Sequence, residues 1–99
     1  MWFAIIAKDH PGSLDQRLAV RTAHLARLDV LQNEGRLLLA GPFPAIESEN
    51  PGPAGFTGSL IVAEFANQAD AESWARLDPY VAAGVYADVE IKPFRKTLP

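Results

Sequence analysis

The sequence predicts an α+β domain in the order strand, helix, strand, strand, helix, strand. Three observations carry this: a short apolar run near the N-terminus stopped by turn residues, a long leucine-spaced segment behind it, and a two-residue alternation near the C-terminus. The chain has 99 residues, enough for one domain spanning 1–99 that buries roughly two thirds of its unfolded surface. Its 48% apolar and 21% charged residues are ordinary for a chain folded throughout.

Each element has its own justification. "WFAIIA" (Trp2 to Ala7) is apolar and ends at "KDHPGS", as a buried strand does. From Ser13 the period changes, with Leu14, Leu18, Leu25 and Leu28 at helical steps until Gly35. This predicts a helix of about twenty residues, near 30 Å long, with Ser13 as N-cap and Gly35 as C-terminal stop. "RLLLAGPFP" (Arg36 to Pro44) reads as a second strand and "SLIVAEF" (Ser59 to Phe65) as a third. The connector between them is rich in proline and glycine and longer than a hairpin needs, which suggests a part in closing a pocket or an interface. "NQADAESWARL" is a shorter helix, with Asn67 as cap and Ala71, Trp74 and Ala75 on one face. In the last strand Val85, Ala87, Val89 and Ile91 alternate with Tyr86, Asp88, Glu90 and Lys92.

This order is the ferredoxin-like βαββαβ arrangement, a four-stranded antiparallel sheet with two helices on one face. The first three strands are apolar at both odd and even positions, so the helix-free face also wants cover. A second copy, sheet to sheet, supplies it with two-fold symmetry: a homodimer is expected, or a larger homo-oligomer built on it.

Composition removes several function classes. The net charge of -3 gathers no polyanion, which argues against nucleic acid, and Lys92, Arg95 and Lys96 read as a solvated tail. Cysteine is absent, so disulfides and thiolate sites are excluded. The N-terminal apolar run is too short for a signal peptide or a membrane span, which makes the cytoplasm the expected location.

The residues with chemical potential are few. On a helical wheel Arg21 falls inside the leucine arc and His24 at its edge. An arginine there either snorkels outward or must pair with a structural carboxylate or a ligand anion. His24 is either a core-edge imidazole or a proton carrier. Asp78 in "DPY" either caps the next turn or accepts a bond from an imidazole nitrogen and fixes its tautomer. "GFTGS" reads as turn chemistry at the mouth of a strand, and His10 as a solvated loop residue. No His-x-x-x-His pair, phosphate loop or nucleophile elbow occurs.

Together, "QRLAVRTAHLARL", "EGRLLLAGPFPAIES", "AGFTGSLIVAEF" and "DPYVAAGVYADVEIKPF" resemble the YciI-like (YCII-related domain) family across essentially the whole chain. The resemblance implies a dimeric α/β barrel of ferredoxin-like subunits, related to chloromuconolactone dehalogenases and muconolactone isomerases. It also implies an active pair that falls on His24 and Asp78, with Gly41, Pro42 and Ser59 near the same pocket. Arg21, from its place on the wheel, is then expected to help bind a small anionic substrate. Acid–base chemistry of this kind needs neither metal nor organic cofactor. The alternatives are a non-catalytic dimer that binds a small acid, and a scaffold with no pocket at all.

Overall fold

The computed structural model describes residues 1–99. The elements are β1 (Trp2–Asp9), α1 (Leu14–Asn33), β2 (Leu37–Pro44), β3 (Phe56–Glu64), α2 (Gln68–Arg76), α3 (Pro79–Ala82) and β4 (Tyr86–Phe94), with a 3-10 turn at Gly52–Ala54. The sheet order is β2-β3-β1-β4, with every pair antiparallel, which is the ferredoxin-like order. No helix is long and apolar enough to cross a membrane.

Alternation along central β1 divides the sheet into two faces. Phe3, Ile5 and Ala7 are buried against the helices and stand opposite Ala63, Ile61 and Ser59 of β3. Around them Leu28 and Leu31 of α1 and Ala71 and Ala75 of α2 complete an apolar cluster. On the other face lie Ala4 and Ile6, opposite Val62 and Leu60, while Leu39 and Phe43 of β2 are exposed there. On β4 that same face carries Asp88, Glu90 and Lys92. The apolar area free of helices thus lies mainly on β1, β2 and β3, with Phe94 of β4 added opposite Trp2 at the sheet's end.

Several local expectations change. Ser13 does not cap α1 with its side chain; its Oγ donates to the carbonyl of His10 at 2.7 Å. At the other end Gly35 has φ +71, its N–H donates to Gln32 O and that of Arg36 to Leu31 O, the paired bonds of a left-handed C-terminal stop that favours glycine. Asn67 does cap α2, accepting from the Asp70 N–H at 2.8 Å. β3 begins at Phe56 rather than Ser59, because "FTG" pairs with β2 and β1 instead of turning. In β4 the register shifts between Lys8 and Asp9, so that Tyr86 stands opposite Asp9 and turns inward against the simple alternation. The long connector closes on itself through Ala45 N–H to Gly55 O at 2.9 Å. It forms a cleft with Leu14, Leu18 and Phe56, and none of residues 44–58 lines the pocket around His24.

Candidate functional site

The buried stripe of α1 is not the leucine arc. Leu18 is 56% exposed, whereas Arg17, His24, Leu28 and Leu31 are buried. The stripe advances by seven, four and three residues, and the buried arginine is Arg17 rather than Arg21. Burial is possible because Arg17 is paired. Its Nε and Nη2 donate to the two oxygens of Asp9 at 2.9 and 3.0 Å, and Nη2 also donates to Gly58 O at 3.1 Å and Ser59 Oγ at 2.9 Å. Burial opposes the guanidinium's charge, but the Asp9 bond and charge outweigh it and hold the Arg17 pKa above its ordinary value. Glycine is required at 58, since a Cβ there would collide with the Ala7 carbonyl that crosses it. Of the guanidinium nitrogens only Nη1 makes no hydrogen bond within the protein.

Two turns along α1, His24 Nδ1 lies 2.9 and 2.8 Å from the two oxygens of Asp78. Both residues are buried, at 6% and 3% exposed. Asp78 Oδ1 also accepts from the Tyr80 N–H at 2.9 Å, so one carboxylate caps α3 and holds the imidazole. The cap and the imidazole contact, alternatives in the sequence, coexist at Asp78. A carboxylate at Nδ1 places the neutral ring's proton there and leaves the lone pair on Nε2, which has no protein partner. Tyr80 stacks on the imidazole with ring centroids 4.0 Å apart and 17° between planes, and the Arg17 Cζ lies 4.7 Å from the centre of the same ring. Tyr80 thereby bridges the two polar residues of the stripe. Burial pushes its phenol pKa up, moderated by Arg17, and burial pushes the Tyr86 phenol up as well.

Arg17, His24 and Tyr80 line a pocket of about 420 Å³ between α1 and β2. His24, Arg21, Gly41, Pro42 and Ser59 all border it, and Asp78 reaches it through His24. Arg21 is exposed at the rim and makes no hydrogen bond or ion pair with the protein, so its charge is available to a ligand. Sequence reasoning misses Asp9, Arg17, Tyr80 and Tyr86. The spacing Arg17, His24, Leu31 at seven-residue steps is the signal that could locate Arg17, since such residues share a helix face.

The chain matches the YCII-related domain over residues 1–95. It is 60% identical to an uncharacterised protein of Haemophilus influenzae and 58% identical to Protein YciI of Escherichia coli, in each case over 98 residues that cover 99% of this chain and all of the relative. Among solved structures it resembles 5-chloro-2-hydroxyhydroquinone dehydrochlorinase (TftG) of Burkholderia phenoliruptrix in complex with 2,5-dihydroxybenzoquinone, with 29% identity, TM-score 0.83, and coverage of 96% of this chain and 94% of that one. A Pseudomonas aeruginosa protein shares the fold at 10% identity and TM-score 0.52, covering 98% and 93% of the two chains. On the family match and these relatives, the chain belongs to the YCII-related domain family.

Proposed function

We propose that this protein is a cofactor-independent enzyme that moves a proton on a small anionic carbonyl compound, a carboxylate, lactone or hydroxyquinone, in an isomerisation or a dehalogenation. The observation that carries the reading is the buried His24–Asp78 pair with Nε2 left free beside a pocket. His24 acts as general base and then acid through Nε2, and Asp78, bonded to Nδ1, fixes the tautomer and orients the ring. Arg21 and the free Nη1 of Arg17 bind the anionic group, with Ser59, Gly41 and Pro42 shaping the pocket around it. In an elimination the C–H or O–H electron pair becomes the new double bond as the carbon–halogen pair leaves with the halide, so the step is redox-neutral. Likeness to a dehydrochlorinase adds support.

The test is chloride release from a chlorinated hydroxyhydroquinone and isomerisation of muconolactones by the purified chain. Turnover that His24→Ala abolishes is the expected result. Saturable binding of the same compounds without turnover by the wild type would favour the alternative, a dimeric ligand-binding or accessory protein.

The reading includes a homodimer through the helix-free sheet faces, supported by exposed Leu39 and Phe43 beside Leu60 and Val62 and by exposed Phe94 opposite Trp2. Sedimentation at micromolar concentration should give twice the chain mass. A stable monomer would remove this part of the proposal and leave the pocket chemistry standing.

A further inference from the structure

The pocket is longer than proton transfer requires, and half of its lining residues are apolar. Its cationic groups, Arg17 and Arg21, gather at one end, where Pro42 of β2 pairs with Ser59 and Ser59 bonds to Arg17. The strands then carry the pocket away from this corner, with Ala40 opposite Ile61 and Leu37 opposite Ala63. From Ser59 to Ala63 β3 advances four residues, about 13 Å, and from Arg17 to Leu28 the helix rises about 16 Å. The far end is walled by Leu25, Leu28, Leu37 and Leu38 over a floor of Ile61. Leu28 and Ile61 are 7% and 2% exposed, so this is firm packed wall rather than loose surface. Asp29 and Gln32 are exposed at the rim beyond it.

His24 stands at the junction of the two ends. A carboxylate or a single ring bound to Arg17 and Arg21 fills only the polar corner. The volume of about 420 Å³ lies instead in the range of ligands that carry a substantial apolar part.

We infer that the substrate carries a short unbranched apolar arm on its anionic head, and that the leucine end of the pocket is the subsite that selects it. This deepens the function proposed above and rests on that reading for the placement of the head. The arm extends along α1 past His24 toward Leu28, with Leu38 of β2 packing against its other side. The head alone is poorly discriminated, because two arginines accept any small anion, and the arm supplies the selectivity. Each methylene that enters the slot should tighten binding about four-fold, the equivalent of about 0.8 kcal/mol per buried CH₂.

The experiment is calorimetric titration of the full chain with two series of probes. One is 2,5-dihydroxybenzoquinone and its 3-methyl, 3-propyl and 3-pentyl derivatives, and the other is the n-alkanoates from acetate to octanoate. The expected result is a fall in Kd of about four-fold per methylene until the slot is full. Leu38→Ser should flatten that slope and Leu38→Met should keep it, with circular dichroism verifying that both variants are folded. A flat or rising Kd along both series overturns the inference, as does a slope untouched by Leu38→Ser or failure of every probe to bind. Chain-length dependence without turnover of any chlorinated compound would keep the arm subsite and sink the acid–base reading. Turnover without chain-length dependence would do the reverse.

Discussion

The two ends of the helix-covered sheet face share the same strands and the same long helix, yet their interiors are built on opposite terms. At one end Phe3, Ile5, Leu28, Leu31, Ile61, Ala63, Phe65, Ala71 and Ala75 form a cluster with no polar side chain. At the other, Ala7, Tyr80, Val85 and Tyr86 are interleaved with Ser13, Arg17, His24, Ser59 and Asp78, which are the buried polar residues of the molecule. Leucines at 17 and 24 would have extended the apolar core along α1. A buried ion pair seldom exceeds a well-packed apolar replacement in net stability. The polar end is therefore hard to explain as a device for holding the fold together, and a pocket that opens beside it gives a better reason.

The largest effect should come from splitting the Arg17–Asp9 pair. Arg17→Ala leaves a carboxylate whose side chain is 3% exposed without its partner, at a cost of about 3–5 kcal/mol. Urea unfolding checks this, and the double variant with leucine at both positions should recover most of the loss. At the apolar end Leu31→Ala, at a residue 2% exposed, should cost about 3 kcal/mol through the cavity it leaves. Its effect on ligand binding should be small, because Leu31 does not border the pocket. If Leu31→Ala weakened binding as much as it weakened the fold, the two ends would not be separable.

A smaller stability effect and a larger functional one should follow at the second polar pair. His24→Ala and Asp78→Asn should each cost about 1–2 kcal/mol and each remove most activity or ligand binding. An asparagine side chain keeps an oxygen for the Tyr80 N–H that Asp78 caps, so Asp78→Ala should be the less stable of the two aspartate variants. If the pair acts as a unit, the double variant loses little more activity than either single one. Additive losses in activity would mean that the two residues serve separate ends.

The contrast also explains what can be read from sequence. The apolar end is legible, because strand alternation and helical spacing report burial directly: β1, α1, β2, α2 and β4 lie within a few residues of where the pattern places them. α3 is not, since four residues starting at Pro79 are too few to show a period. Arg17 escapes notice because a wheel anchored on leucines trusts Leu18, and Leu18 faces outward. What buries Arg17 is Asp9 on β1 together with Gly58 and Ser59 on β3, 41 and 42 positions away for the last two, and no local pattern displays such partners. His24 and Asp78, 54 positions apart, are joined through the family resemblance and not through spacing.

The smallest expected effect concerns Tyr86, whose buried hydroxyl makes no well-aligned hydrogen bond, although Ser59 lies close enough to favour its ionised form. Leaving such a group unpaired in the interior costs free energy, so Tyr86→Phe should be neutral or stabilising by up to about 1 kcal/mol at pH 7. Burial raises the Tyr86 and Tyr80 phenol pKa values above their ordinary one, so the native state keeps these protons to higher pH than the unfolded chain does. Their contribution is therefore fully present below about pH 10, the ordinary phenol value, and is lost as pH rises from there through the folded-state values. Tyr86→Phe removes one of the two groups and should make the alkaline fall in stability shallower than in the wild type. Urea unfolding at pH 7 and at about pH 10.5 measures both effects. A loss of more than about 1 kcal/mol at pH 7 would mean that the hydroxyl is satisfied in solution, and would make the polar end as completely paired as the apolar end is dry.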